Sequence, residues 1–221
     1  MGVTVAVLAA ANLALNRWTG PWGLVTAVVV SGLLLGVLRW AGGTLADAGL
    51  ARGTLARGAR WALVLIGLVG FVYLAGALLP ATRGLFEDRR YEAMDGGEVM
   101  LRVFVLVPVG TVLVEEVAFR GVLYGLVRRA RGAVRATVVS SLLFGLWHVL
   151  PSLHLAAAKP AVNSVVGDSG PGAVLAVAVL FTAAAGVLFC ELRRRSGSLL
   201  APMGLHWAVN AFGYLVGYLL R

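Results

Sequence analysis

Two adjacent glutamates, Glu115 and Glu116, stand in the middle of an apolar stretch long enough to cross a bilayer, and Arg120 follows one helical turn later. Ionisable side chains at that depth are costly unless paired or wetted, so they mark a functional site by default. His148, His206 and Asn210 are the other strongly polar side chains placed near the same depth, on two further apolar segments. A carboxylate, two imidazoles and a carboxamide can together activate water, hold an oxyanion or ligate a metal.

Helical spacing gives these groups different tasks. Glu116 and Arg120 are four residues apart and share a face, in the acid-before-base order that suits a helical ion pair. This reads as a buried pair that neutralises itself, a supporting role. Glu115 is rotated by about 100° from Glu116 and is left as the freer carboxylate, as a general base or acid must be. Phe144 and His148 repeat the spacing of four, so the ring supports the imidazole on one face. His206 and Asn210 do the same and form a paired polar face. The amide of Asn210 offers a donor and an acceptor without charge. His154 falls in a loop away from this layer and reads as incidental.

What chemistry fits? No GxSxG and no nucleophile elbow occur, and no HExxH appears. Ser140 and Ser141 read as small helix-packing residues. Cys190 is the single cysteine; it lacks a basic neighbour and reads as a core residue, and one thiol makes neither a disulfide nor a thiolate metal cage. Two schemes remain. In one, Glu115 and His148 take a proton from water while His206 and Asn210 hold the oxyanion of the attacked carbonyl. In the other, Glu115, His148 and His206 ligate a divalent metal such as zinc, with one position open. Both predict amide hydrolysis.

The elements that must position these residues are membrane helices. The chain has 221 residues, 60% hydrophobic and 13% charged, with a mean hydropathy of +0.90. A soluble domain carries roughly a quarter charged residues. Apolar segments at 3–16, 22–38, 61–79, 99–127, 136–151, 173–192 and 199–220 predict an all-α polytopic membrane protein of about seven transmembrane helices enclosing a polar cavity. Ten-residue alternating strands, the mark of a transmembrane barrel, are absent. Residues 1–16 lack a charged leading region and read as a first span rather than a signal peptide.

The net charge of +9 points to topology rather than to nucleic acid, because the arginines gather between apolar segments. With seven spans, Arg39, Arg52, Arg57, Arg60, Arg128, Arg129, Arg131, Arg135, Arg193, Arg194 and Arg195 share one side, against seven basic residues on the other. That bias predicts a multi-pass protein of the cell membrane with its N-terminus in the cytoplasm. Three parts are expected: N-terminal transmembrane helices over 1–80, an amphipathic connector over 81–98 that reads equally as a short surface helix or a solvated loop, and a catalytic transmembrane core over 99–221. The connection 151–172, rich in Pro, Gly, Ser and Asn, reads as a mobile loop.

Counting from the inner arginines at about 1.5 Å per residue places Glu115 roughly 21 Å deep, His148 roughly 20 Å, His206 roughly 17 Å and Asn210 roughly 23 Å. Three helices therefore bring their polar groups to one layer. A proton or ion relay would extend towards both faces instead.

In order along the chain, Glu115-Glu116-Val-Ala-Phe-Arg120 matches EExxxR, Phe144-Gly-Leu-Trp-His148 matches FxxxH, and His206-Trp-Ala-Val-Asn210 matches HxxxN. Together they resemble the CPBP family of intramembrane proteases, which includes type II CAAX prenyl endopeptidases and bacterial relatives linked to bacteriocin processing and self-immunity. The resemblance covers about residues 95–215. It implies a helical core enclosing a conical cavity and an endopeptidase that cuts a peptide or membrane-associated protein near its C-terminus. It also implies that Glu115 and His148 activate water, that His206 and Asn210 stabilise the oxyanion, and that Glu116 and Arg120 support them. The alternative is a non-catalytic membrane immunity or scaffold protein of the same fold, which would not need the polar set intact.

Overall fold

Backbone polar groups find no water in hydrocarbon, so apolar segments of this length close their hydrogen bonds internally as helices. The computed structural model describes residues 2–17, 22–153, 158 and 170–221, and no strand occurs among them. Long helices run over Gly2–Arg17 (α1), Gly23–Trp40 (α2), Arg52–Leu78 (α3), Gly96–Trp147 (α4), Pro171–Ser196 (α5) and Leu200–Leu219 (α6). Four of them, α2 to α5, are long and apolar enough to cross a membrane, and α1 contributes a shorter apolar helix. The chain is an all-α, multi-pass membrane protein.

With 52 residues, α4 would be roughly 78 Å long if straight, more than twice the hydrocarbon thickness of about 30 Å. It folds back on itself at Gly132, where φ is 81° and ψ 172°, a conformation that glycine adopts and side-chain-bearing residues resist. The Ser140 hydroxyl donates to the Phe119 carbonyl at 2.8 Å although 21 residues separate them, roughly 32 Å on a straight helix. The two apolar segments that the sequence separates at 128–135 are thus the arms of one helical hairpin with arginines at its tip. The first arm winds widely. Turns of i→i+5 type over Arg102–Leu113 and Val117–Leu123 flank a single α-helical turn, Val114–Glu116, which carries both glutamates. Pro108 lies in the first wide stretch and has no N–H to give a tighter ladder.

Small residues let the helices approach closely, as membrane packing requires. A Cβ at Gly145 would lie 2.7 Å from the Val179 carbonyl oxygen, and one at Gly186 3.0 Å from Cα of Ser141, so α5 lies against the second arm of α4. In the same way a Cβ at Gly204 would meet Ala62 at 2.5 Å, which seats α6 on α3. Outward-facing Leu63, Val64 and Phe71 on α3 and Leu180 and Leu188 on α5 are exposed, as expected of surfaces that lipid covers.

Of the surface helix and the loop that its charges allow, the segment after α3 is nearer the second. It forms a four-residue helix at Pro80–Arg83 and short turns at Gly84–Phe86 and Arg89–Tyr91. Tyr91 is buried against Tyr214 of α6, with ring centroids 5.0 Å apart. Pro80 opens one turn and Gly84 the next, and anchoring by Tyr91 replaces flotation on the membrane surface. Most of the 151–172 connection, including His154, lies outside the described residues.

At the arginine-rich face, residues 41–51 tuck between α4, α5 and α6. Asp47 organises this segment. Its carboxylate accepts from the Thr44 backbone N–H at 2.9 Å and the Thr44 hydroxyl at 2.8 Å, and Arg128 and Arg129 approach it at 3.4 Å. Arg193 donates to the Ala46 and Asp47 carbonyls, and Leu199 N–H to the Gly49 carbonyl at 2.9 Å. Partial burial works against the Asp47 charge, but Thr44, Arg129 and Arg128 outweigh it and hold the carboxyl below its usual range. A carboxyl lowered in the folded state stabilises above its unfolded value, and this contribution is lost as pH falls through the folded one. Asp47→Asn should therefore lower the stability of detergent-purified protein by about 1 kcal/mol at neutral pH. In thermal unfolding the gap to wild type should close as pH is taken below about 4. A gap that persists unchanged in acid would mean that the Asp47 charge contributes nothing.

Candidate active site

The turn Val114–Glu116 projects two carboxylates into the interior, and each is handled differently. Glu116 and Arg120 are fully buried, and the guanidinium donates to Glu116 Oε1 at 3.1 Å. The same oxygen accepts from His206 Nδ1 at 2.8 Å. With a cation against it, Glu116 is the acceptor, so Nδ1 of His206 carries the proton and the neutral ring presents a lone pair at Nε2. Glu116 is therefore more than half of a self-neutralising pair: it fixes the tautomer and orientation of His206. The sequence reading did not include that bond.

Arg120 lies between two aromatic faces, with its guanidinium carbon 3.8 Å from the Phe144 centroid and 4.7 Å from that of Phe189. Cation–π contact helps replace the water that a buried cation loses. Phe144 also meets His148 edge-on at 4.6 Å, and Phe189 stacks on His206 at 5.2 Å. Phe144 and His148, four residues apart, are thus in ring contact; Phe189 carries no motif signal and was not anticipated.

Glu115 has a different set of partners. Its Oε1 accepts from the Trp147 indole N–H at 3.0 Å. Its Oε2 is buried and makes no hydrogen bond among the described residues. Two imidazole nitrogens converge on that oxygen, His206 Nε2 at 3.7 Å and His148 Nε2 at 3.9 Å. His148 Nδ1 is 2.9 Å from the Phe144 carbonyl, which can only accept. Its proton therefore sits on Nδ1, and in the neutral ring Nε2 also faces Glu115 as a lone pair. Three acceptors surround one point without a proton between them. Such an arrangement suits a small donor such as water, whose two protons can be shared among them.

Trp147 was not singled out in the sequence, although it lies inside the FxxxH window and a buried indole N–H calls for an acceptor. Its own carbonyl accepts from Asn12 Nδ2 of α1 at 2.9 Å, which ties the first helix to the site. Asn210 lies one turn beyond His206 on α6 and lines the same cavity as Glu115, His148 and His206. This cavity, of about 920 Å³, falls in the range of about 300–1,000 Å³ that small-ligand sites occupy. Asn16, Gly23, Arg90 and Ser152 also line it, so it opens at the end of the bundle opposite the arginine-rich face. Among the described residues, no group of three or more His, Cys, Asp or Glu side chains is placed to hold a metal ion.

A family model described as type II CAAX prenyl endopeptidase Rce1-like matches residues 98–212, more than half of the chain. The chain belongs to the Rce1-like family. The match spans all seven positions from Glu115 to Asn210 considered above, and at family level it makes this chain a CAAX-type intramembrane protease acting on a peptide or protein in the bilayer. Neither a curated protein nor a solved structure matches the chain.

The buried pair generates a stability prediction for this Rce1-like protein. Arg120→Ala strands Glu116 and should cost about 3–5 kcal/mol. Adding Glu116→Gln to that variant should recover part of the loss, because the remaining amide carries no charge. Unfolding in detergent would measure both, and an Arg120→Ala protein as stable as wild type would refute the pairing.

Proposed function

We propose that the protein hydrolyses a peptide bond near the C-terminus of a peptide or membrane-associated protein, using water activated by Glu115 and His148. The observation that carries this reading is the convergence of both histidine Nε2 atoms on the unpartnered Oε2 of Glu115, at 3.7 and 3.9 Å, inside the large cavity. A water molecule between Glu115 Oε2 and His148 Nε2 gives up a proton as its oxygen attacks the scissile carbonyl carbon. The carbonyl oxygen becomes an oxyanion, which the Asn210 amide and His206 Nε2 meet as donors. For this step His206 has first taken a proton at Nε2 from bulk solvent, balanced by the Glu116 carboxylate against Nδ1, and it keeps that proton through the turnover. The proton then passes from the Glu115–His148 pair to the leaving nitrogen, the C–N bond breaks, and a carboxylate and an amine depart. Trp147 holds Oε1 of Glu115, so Oε2 is the oxygen that faces the reactants.

Glu115→Gln keeps the size and the indole contact but removes the base. We expect peptide cleavage in detergent to fall by at least about 100-fold with the melting temperature preserved; full activity would remove Glu115 from the chemistry. No step passes through a metal, so dialysis against a chelator should leave the wild-type rate unchanged. A loss restored by zinc would favour the Glu115–His148–His206 metal scheme instead.

Orientation follows from charge. The end of α2, the first turns of α3, the hairpin tip and the end of α5 carry the eleven arginines, and by the positive-inside rule we assign that face to the cytoplasm of a cell-membrane protein. The N-terminus is then cytoplasmic and the cavity opens on the outer side. Cys190 is buried and is the sole cysteine, so introduced thiols can be read cleanly. Ser152→Cys should react with a membrane-impermeant maleimide in intact cells, and Arg131→Cys only after permeabilisation. The reverse pattern would invert the topology.

A further inference from the structure

A separate groove, of about 440 Å³, runs between α1 and the second arm of α4. Leu8, Ala9 and Leu13 line it from α1, and Leu143, Leu146 and Leu150 from the arm and the residues just beyond it. Leu13 and Leu146 are exposed, so the groove opens sideways, on a flank that meets hydrocarbon rather than water. Among the described residues, only Asn12 and Trp147 bring polar side-chain atoms to its wall, and the donor nitrogens of both are engaged. Asn12 Nδ2 donates to the Trp147 carbonyl and the indole N–H to Glu115 Oε1. Water needs two to four polar partners, which this wall does not offer. Trp147 also lines the catalytic cavity and is the one described residue common to the two. Phe119, buried on the groove wall, meets the indole edge-on with ring centroids 5.5 Å apart. The indole is thus a partition: its N–H serves the chemistry on one side, and its ring closes the groove on the other.

We propose that this groove seats one acyl chain of a membrane phospholipid, and that the seated chain braces Trp147 so that its indole keeps Glu115 aimed into the catalytic cavity. The effect on turnover rests on the protease reading above; the seat itself does not. Hydrocarbon packs on these walls through dispersion contacts that water and polar groups do not replace. Size favours a chain over a helix from a partner protein. From Val5 to Leu13 the groove follows α1 for roughly 12 Å, so its volume corresponds to a mean section of about 37 Å², against about 79 Å² for a helix 10 Å wide. The bilayer presents acyl chains along this flank at high local concentration. Substrate occupies the other cavity, on the far side of the indole. Losing the brace should therefore lower kcat and leave KM in place.

The test uses purified full-length protein in a rigid steroid detergent, whose fused rings cannot follow so narrow a groove, with and without added phosphatidylcholine. On a soluble, unlipidated peptide the lipid should raise the wild-type kcat by about 10-fold or more with KM unchanged. Ala9→Phe places a ring in the groove, so its kcat should be the same with and without lipid. Occupancy is read separately. Of the six tryptophans, a variant keeping Trp147 alone should lose most of its fluorescence in phosphatidylcholine brominated on its acyl chains, and adding Ala9→Phe should restore it. Should that variant fail to fold, native mass spectrometry counts the phospholipid retained by the wild type and by Ala9→Phe, one and none. Equal quenching, or equal retention, with and without Ala9→Phe would overturn the seat. Displacement of the quencher by a peptide carrying its own lipid chain would give the groove to the substrate, and loss of a dimer in Ala9→Phe would give it to a second copy; either overturns the proposal. Quenching with a kcat indifferent to lipid would overturn the brace, and an inactive Glu115→Gln control would leave the protease reading standing. Absence of cleavage in every preparation would overturn the protease reading and the brace with it, and the quenching would still decide the seat.

Discussion

Oε1 of Glu116 accepts from Arg120 at 3.1 Å and from His206 at 2.8 Å, and much of the interior follows from that shared oxygen. A lone buried carboxylate is not tolerable in hydrocarbon. One arginine on the same helix neutralises it, and two aromatic faces in turn surround the arginine. The residual accepting capacity then orients an imidazole from α6. Charge balance and ligand orientation are thus met by the same three side chains. Removing Arg120 strands Glu116, and removing Glu116 strands Arg120 and releases His206, so the pair is what keeps His206 Nε2 aimed at Glu115.

The architecture around this cluster serves to bring remote segments to it. Gly132 reverses α4, so that the arm carrying the glutamates lies beside the arm ending at His148. Glycine-mediated approaches seat α5 and α6, which brings Phe189 and His206 within reach. α1 is attached through the Asn12 bond to the Trp147 carbonyl, and Trp147 holds Glu115 through its indole. The N-terminal helices therefore bear on the orientation of the site even though the family match begins at residue 98.

Much of this was legible in the sequence because membrane burial leaves few polar residues to choose among. The hydrophobic segments, the shared depth of Glu115, His148 and His206, and the i,i+4 pairing of Glu116 with Arg120 all follow from helical periodicity. Three things did not. The bond from Glu116 to His206 joins residues 90 apart, and no local rule anticipates it. Trp147 and Phe189 look like ordinary apolar residues in a composition of this kind; only their neighbours give them a task. The 80–91 segment has the charge pattern of a surface helix, yet Pro80, Gly84 and the burial of Tyr91 break it into turns.

The position of Arg120 on the same helical arm as Glu116 also bears on biogenesis. As the nascent chain leaves the ribosome, that arm emerges about 80 residues before α6, so its carboxylate meets the insertion machinery with no histidine to bind. A counter-ion four residues along the same helix lets the segment partition into lipid as a nearly neutral unit. The polar cluster is then completed last, when α6 brings His206 to Glu116.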